Sequence, residues 1–133
     1  MNLVITLVNN MKELTFEKEI EDNRGKILFL SYGNKKINLI EIRKGFARGG
    51  HFHKTTTSHF LIKGKIEYHE ENTITHEEKI LIVEAPGILD VPANHAHLLI
   101  ALDNSLFFEI FEKYEAINFP KYRNIVENKM NQK

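Results

Sequence analysis

Short segments in which apolar and polar residues alternate dominate this sequence. In residues 60–69, the pattern predicts Phe60, Ile62, Ile66 and Tyr68 on one side and charged residues on the other. An alternation with a period of two is typical of a half-buried β-strand. Similar segments recur at residues 12–18, 26–32, 36–43, 73–84, 89–91, 97–102 and 105–113.

Turn-forming residues separate these segments, as at Gly33, Gly64 and Pro86. No helical periodicity lies between the segments, so the crossover helices of a parallel α/β sheet have no place. Many short strands at close spacing are typical of a β-sandwich or a closed barrel. The sequence therefore predicts an all-β protein.

A single helix is predicted at the end of the chain. It starts at Pro120, where the missing N–H of proline is not needed for helical hydrogen bonding. Tyr122, Ile125, Val126 and Met130 then recur at helical spacing. We expect this short C-terminal helix to pack on the outside of the barrel or across a dimer interface.

Length and composition exclude several classes of protein. With 133 residues, the chain is long enough for one domain, 1–133. Its 18 basic and 18 acidic residues balance, which disfavours binding to nucleic acid. The lack of cysteine excludes disulfides and cysteine-based metal sites. No apolar run approaches the roughly 18 residues of a membrane helix, and no signal peptide is recognisable. We expect a cytoplasmic protein without a membrane partner.

Five of the seven histidines lie in two short stretches of the sequence. His51 and His53 are two residues apart, so an extended backbone directs both side chains to one face. His59 points the same way if the alternation continues, whereas His97 must arrive from another strand. Histidine is the commonest metal ligand and titrates near neutral pH. Convergent histidines in a small barrel predict either a metal site or proton-transfer chemistry.

The first stretch resembles the first conserved motif of the cupin superfamily. Gly45, His51, His53 and Gly64 occupy the places of the two glycines and two histidines of that motif. Thr57 stands where the motif has a glutamate. The spacing therefore implies a cupin fold with an altered ligand set.

The second stretch resembles the second cupin motif. Pro92 and His97 match it, whereas Asn94 and Ala101 replace its glycine and asparagine. The resemblance implies a double-stranded β-helix, also called a jelly-roll barrel. It further implies a homodimer, in which residues 3–8 would form an edge strand or a swapped segment.

Two shorter elements narrow the resemblance. The element Glu-Asp-Asn-Arg24-Gly-Lys and the element Arg48-Gly-Gly-His51-Phe-His53-Lys are similar to segments of nucleotide-sugar epimerases and ketoisomerases. The matching histidine of dTDP-4-dehydrorhamnose 3,5-epimerases is the general base, which implies that role for His51. The resemblance also implies that Arg48 contacts a diphosphate.

Other residues are candidates for the same reaction. His53 is a second acid or base beside His51, and Arg24 and Tyr68 are candidate substrate contacts. Arg24 also has a structural interpretation, because Asp22 lies close enough in sequence to form an ion pair within a turn. The resemblance to nucleotide-sugar epimerases and ketoisomerases thus implies an isomerase or epimerase that moves a proton on a nucleotide-activated keto sugar.

Two alternatives remain open. His51, His53 and His97 can instead hold Zn, Fe, Mn or Ni, as in a metal-dependent cupin dioxygenase or small-molecule isomerase. Thr57 is a poor ligand in the glutamate position, and His59 can become a fourth ligand only if the backbone changes locally. The third hypothesis is a sugar-binding module without catalytic activity, which uses the same pocket.

Overall fold

The computed structural model describes residues 2–4, 13–113 and 115–132. Within these residues, the secondary structure consists of eleven strands followed by one helix. The elements are β1 (Leu14–Asp22), β2 (Gly25–Tyr32), β3 (Lys35–Ile42), β4 (Ala47–Phe52), β5 (Thr57–Lys63), β6 (Lys65–Asn72), β7 (Glu78–Glu84), β8 (Gly87–Val91), β9 (His95–Ala101), β10 (Ser105–Phe111), β11 (Ile117–Asn118) and α1 (Pro120–Met130).

The strands form two sheets that enclose a common interior. One sheet has the order β1-β2-β3-β10-β5-β8, and the other has the order β11-β4-β9-β6-β7. Every recorded strand pair is antiparallel. The all-β prediction is confirmed, because the strands form two antiparallel sheets and no crossover helix connects them within the described residues.

The core lies between the sheets and follows the period of two. Ile66 and Tyr68 on β6 are buried, as the sequence predicts, and they share one apolar cluster with Leu99 on the neighbouring strand β9 and Phe107 on β10 of the other sheet. Inward residues of both sheets supply this cluster, as expected when two antiparallel sheets pack face to face.

The prediction that Phe60 and Ile62 share a side with Ile66 and Tyr68 is wrong. Ile62 is 42% exposed, whereas its neighbours His59 and Leu61 are buried. Gly64 has a φ of +101° and ends β5, so β6 begins in the other sheet. Because the turn falls inside the apparently continuous pattern, the alternation restarts there and the odd-numbered residues of β5 face inward.

Strand boundaries also differ from the sequence patterns at several places, of which two matter most. The segment 73–84 is strand only at β7, because the Asn72 side chain accepts hydrogen bonds from the N–H groups of Ile74 and Thr75. Such a side-chain turn competes with strand pairing. The glycine-rich β4 showed no alternation and was not among the predicted strands.

The predicted C-terminal helix is confirmed as α1, with Pro120 in its first turn. It packs on the outer face of the five-stranded sheet. Tyr122 and Val126 are buried there against Ala47, Ala96 and Leu98. The helix therefore covers the outer side of β4 and β9, the two strands that carry His51 and His97.

Two further expectations concern a membrane and a second copy of the chain. None of the helices in the described ranges is long and apolar enough to cross a membrane. Residues 3–8 lie mostly outside the described ranges. Their predicted role in a homodimer stays a prediction.

Candidate metal centre

A bulge in β4 places His51 opposite His97 on β9. The register between the two strands shifts between Gly49 and His51. Gly49 has a φ of +105°, and a Cβ there would lie 2.6 Å from the carbonyl oxygen of His97. Only glycine permits both this backbone conformation and this close approach. The bulge therefore brings the two imidazoles together.

Three of the predicted histidines converge in the barrel interior. The ring centroid of His51 lies 4.8 Å from that of His53 and 4.6 Å from that of His97. The centroids of His53 and His97 are 5.5 Å apart. One ring nitrogen from each histidine can be chosen so that all three lie within 4.8 Å of one another. This is the spacing of a group that can hold one ion.

Hydrogen bonding and burial prepare these imidazoles for metal binding. Nδ1 of His53 lies 2.8 Å from the carbonyl oxygen of Glu115, so this nitrogen donates and Nε2 keeps its lone pair. Burial, helped by the charge of His53, lowers the pKa of His51 to about 4. Burial also holds the pKa of His97 well below its usual value. The rings of His51 and His97 are therefore neutral near pH 7, which is the ligating form.

The donor set suits a divalent ion with open coordination positions. Three neutral imidazoles provide three nitrogen ligands, and zinc, iron, manganese and nickel all accept such ligands. Thr57 is buried, and its Oγ1 has no hydrogen-bond partner within the described ranges. No carboxylate joins the histidines from that position, so water or substrate would complete the coordination.

A cavity of about 260 Å³ opens beside the histidine group. His51 and His97 lie in its wall. The other polar residues around it are Arg24, Asn38, Arg48, His59, Glu109 and Arg123. Its volume is slightly below the usual range of pockets for drug-sized ligands, which begins at about 300 Å³. The cavity is suited to a small polar molecule.

Sequence reasoning missed two buried polar residues of this cavity. Glu109 on β10 and Asn38 on β3 are 7% and 5% exposed. Asn38 donates a hydrogen bond of 2.9 Å to Glu109, which also lies 2.9 Å from Nε2 of His59. A usable signal was present, since both interrupt apolar strands at positions that face inward.

Arg48 lies at the cavity, but two of its donors hold the barrel together. Its Nε donates to the Glu41 carbonyl at 2.9 Å, and a terminal nitrogen donates to the Gly25 carbonyl at 3.1 Å. Burial, with repulsion from Arg24, lowers the pKa of Arg48 to about 10. The guanidinium therefore remains charged and joins β4 to the strands of the other sheet.

Replacing Arg48 with alanine is expected to destabilise the protein by about 2 to 3 kcal/mol. The substitution removes the donor from the buried carbonyl of Gly25 and from the part-buried carbonyl of Glu41. Denaturant unfolding of the two proteins measures the difference. An unchanged free energy of unfolding, together with weaker phosphate binding, would contradict the structural role and favour the diphosphate contact.

Arg24 and Tyr68 differ in their relation to the cavity. Arg24 lines the cavity. It also forms an ion pair of 2.7 Å with Asp22, which is the structural interpretation that the sequence predicted for it. Tyr68 is fully buried in the core, and its hydroxyl donates to Glu70 at 2.6 Å. The structure does not bring Tyr68 to the cavity lining, and its contact with substrate stays a prediction.

The depressed pKa of His51 predicts how the stability of the metal-free protein depends on pH. In the unfolded chain the ring takes up a proton near pH 6.5, whereas in the folded protein it does so only near pH 4. Stability is therefore lost as pH falls through this window, by roughly 2 kcal/mol from pH 7 to pH 5. Denaturation at both pH values, with His51→Asn for comparison, measures this contribution. Equal pH dependence of the two proteins would contradict it.

Comparisons with known proteins identify the fold of the chain but no closer relationship to a known protein. No protein-family model matches the sequence, and no curated protein matches it. Among solved structures, CapF, a capsular polysaccharide assembling protein from Staphylococcus aureus, is 16% identical with a TM-score of 0.64, over 80% of this chain and 34% of that chain. A Bacillus subtilis oxalate decarboxylase is 19% identical with a TM-score of 0.69, over 80% of this chain and 31% of that one. Another structure of that decarboxylase, which concerns its Mn(II) centres, is 17% identical with a TM-score of 0.69, over 88% of this chain and 35% of that one.

At these identities the similarity shows the fold alone, and the chain spans about a third of the length of the proteins it matches. Together with the two antiparallel sheets and the C-terminal helix, it confirms the cupin double-stranded β-helix. The narrower resemblance to nucleotide-sugar epimerases and ketoisomerases stays a prediction.

Proposed function

We propose that this protein is a metal-dependent cupin enzyme that acts on a small, oxygen-rich anion. The convergence of His51, His53 and His97, with a ring nitrogen from each within 4.8 Å of the others, carries this proposal. The hydrogen bond from His53 to Glu115 supports it, because a backbone carbonyl that accepts from Nδ1 orients the ring and fixes its tautomer, as in many histidines that bind metal. This is the first alternative of the sequence analysis, and the geometry favours it over the leading one.

The side chains around the cavity support an anionic substrate. Arg24, Arg48 and Arg123 all line it. Asp22 and Glu127 pair with Arg24 and Arg123, so within the described residues Arg48 provides the positive charge beside the histidine group that no ion pair balances. Apolar residues of both sheets, including Leu99 and Phe107, close the inner wall and limit access of water. The arginines would hold the anion, while the barrel would keep it in an environment that strengthens electrostatic contacts.

A bound divalent ion would act in this site as a Lewis acid toward a substrate oxygen. His51, His53 and His97 would hold the ion through neutral nitrogens and leave positions free for the substrate. Thr57 adds no negative charge to the ligand set, so an anionic ligand would meet no carboxylate among the side chains that hold the ion.

Metal analysis of protein purified without an affinity tag tests the proposal. We expect about one equivalent of a first-row divalent metal per chain, and its removal with a chelator to lower the thermal midpoint. Protein that contains no metal and fails to bind added Zn²⁺, Mn²⁺, Fe²⁺ or Ni²⁺ would contradict it.

The nucleotide-sugar isomerase is the second candidate, favoured by one observation. Arg24, Arg48 and His51 lie around the same cavity, although their sequence elements are separate. Incubation with a dTDP-4-keto sugar in D₂O tests it, since proton abstraction by His51 would introduce deuterium into the sugar. Tight binding without deuterium incorporation would instead support the sugar-binding module, and absence of binding would exclude both.

A further inference from the structure

A row of buried polar residues crosses the six-stranded sheet, opposite the three histidines. Glu109 on β10 pairs in register with Asn38 on β3 and with His59 on β5. Its carboxylate receives a hydrogen bond from the Asn38 amide at 2.9 Å and one from Nε2 of His59 at 2.9 Å. All three side chains are at least nine-tenths buried.

The row fixes which nitrogen of His59 carries the proton. Burial alone would raise the pKa of Glu109, but the hydrogen bonds from His59 and Asn38 lower it overall. An ionised carboxylate only accepts hydrogen bonds, so Nε2 of His59 must donate. In the neutral form of the ring, the lone pair is then at Nδ1. This atom is enclosed, and the described residues offer it no hydrogen-bond partner.

His97 requires a hydrogen-bond acceptor, where His59 offers one. The Nδ1 of His97 is also enclosed and makes no hydrogen bond of normal geometry in the described part of the chain, where the ring has a weaker contact with the backbone of His95. Because Nδ1 is the enclosed nitrogen, Nε2 is the atom of this ring that can reach an ion. An imidazole that binds metal through Nε2 keeps a proton on Nδ1 and must donate it.

The two unpartnered nitrogens belong to neighbouring rings. The centroids of His59 and His97 are 5.7 Å apart, at an interplanar angle of 61°. One nitrogen offers a proton and the other a lone pair, at enclosed positions where an unmade hydrogen bond is costly. A small ring movement or a single bridging water would satisfy both.

We propose that His59 and Glu109 form the outer shell that orients the metal ligand His97. Nδ1–H of His97 donates to Nδ1 of His59, directly or through one water, and Nε2–H of His59 donates to Glu109. Asn38 holds the far oxygen of Glu109. This assignment rests on the metal site proposed above and makes His59 and Glu109 positioning residues.

We call this chain of hydrogen bonds, from His97 through His59 to Glu109, the relay. It also restores negative charge near the ion. Thr57 removes the carboxylate that the resemblance places in the ligand set. Glu109 returns one from the opposite sheet, at the end of a hydrogen-bonded chain. Outer carboxylates of this type fix the tautomer of a ligating histidine and raise its basicity, which typically changes metal affinity by about 10- to 100-fold.

Zn²⁺ affinity, measured by competition with a chromophoric chelator, tests the relay. His59→Gln retains an N–H donor for Glu109 but removes the acceptor that faces His97. We expect it to weaken Zn²⁺ binding by about 10- to 100-fold. His69→Gln is the matched control, because His69 also pairs with a glutamate, Glu67 at 3.0 Å, but on the outer face of the barrel. It should leave the Kd unchanged.

A purely structural role gives a different result. In that case His59→Gln would lower the thermal midpoint of the metal-free protein and leave the Zn²⁺ Kd of the folded protein unchanged, which would overturn the relay alone. Failure of the wild-type protein to bind Zn²⁺ would overturn both the relay and the proposed function.

Nitrogen-15 NMR of histidine-labelled, Zn²⁺-loaded wild-type protein provides a test that needs no variant. We expect His59 protonated at Nε2 and His97 protonated at Nδ1. Protonation of His59 at Nδ1, or metal bonded to Nδ1 of His97, would overturn the relay even if His59→Gln fails to fold.

Discussion

His51→Asn is expected to lose the bound metal ion. His51 is the central ring of the group, since its centroid lies within 4.8 Å of both other rings. Structural zinc sites with four ligands bind with about 10 to 16 kcal/mol, which corresponds to about 3 kcal/mol per ligand. Loss of one ligand should therefore weaken binding by more than about a hundredfold. Metal content after dialysis and the Zn²⁺ Kd measure the effect.

His76→Asn is the matched control for this substitution. The side chain of His76 is 72% exposed and lies outside the histidine group, so its replacement should leave the metal content unchanged. If His51→Asn keeps its metal but loses deuterium exchange with a keto sugar, His51 is a general base and its assignment as a metal ligand is wrong.

Gly49→Ala is expected to lower both stability and metal affinity. A Cβ at this position would lie 2.6 Å from the His97 carbonyl oxygen, and the φ of +105° is unfavourable for any side chain. Backbone strain and the clash together should cost about 3 kcal/mol or more. In a chain of this size, that lowers the thermal midpoint by roughly 10 °C. Calorimetry and the Zn²⁺ Kd measure the two effects.

Gly33→Ala separates the local clash from the general cost of replacing a glycine. Gly33 also has a positive φ, of +60°, but a Cβ there meets no atom within 4 Å. Its replacement should cost only about 1 kcal/mol and leave metal affinity unchanged. Equal losses in the two variants would show that the approach of β4 to His97 is unimportant for the site.

The fold could be predicted from local patterns to a large extent. Alternation and turn residues indicated most strands, and Pro120 with the helical spacing after it indicated α1. The inward face of β5 could not be predicted in the same way. The chain turns at Gly64 within an unbroken alternation, and only the pairing of β5 with β8 and β10 shows which residues face the core.

The histidines of the site were predictable because their spacing is local. His51 and His53 share a face through strand geometry, and the spacing of the second motif indicated His97. Glu109 and Asn38 were not predictable from spacing. They lie 71 residues apart in sequence and meet only because β3 and β10 become neighbours in the sheet.

The sequence by itself determined the all-β class, the terminal helix and the histidines available for chemistry, because these depend on residue type and on periods of two or 3.6 residues. The tertiary structure alone decided which groups meet. It turned two donors of Arg48 toward backbone carbonyls and placed the Glu109–His59 pair opposite His97. The physical reason is that strand order and register arise from the packing of the whole barrel, which no local pattern encodes.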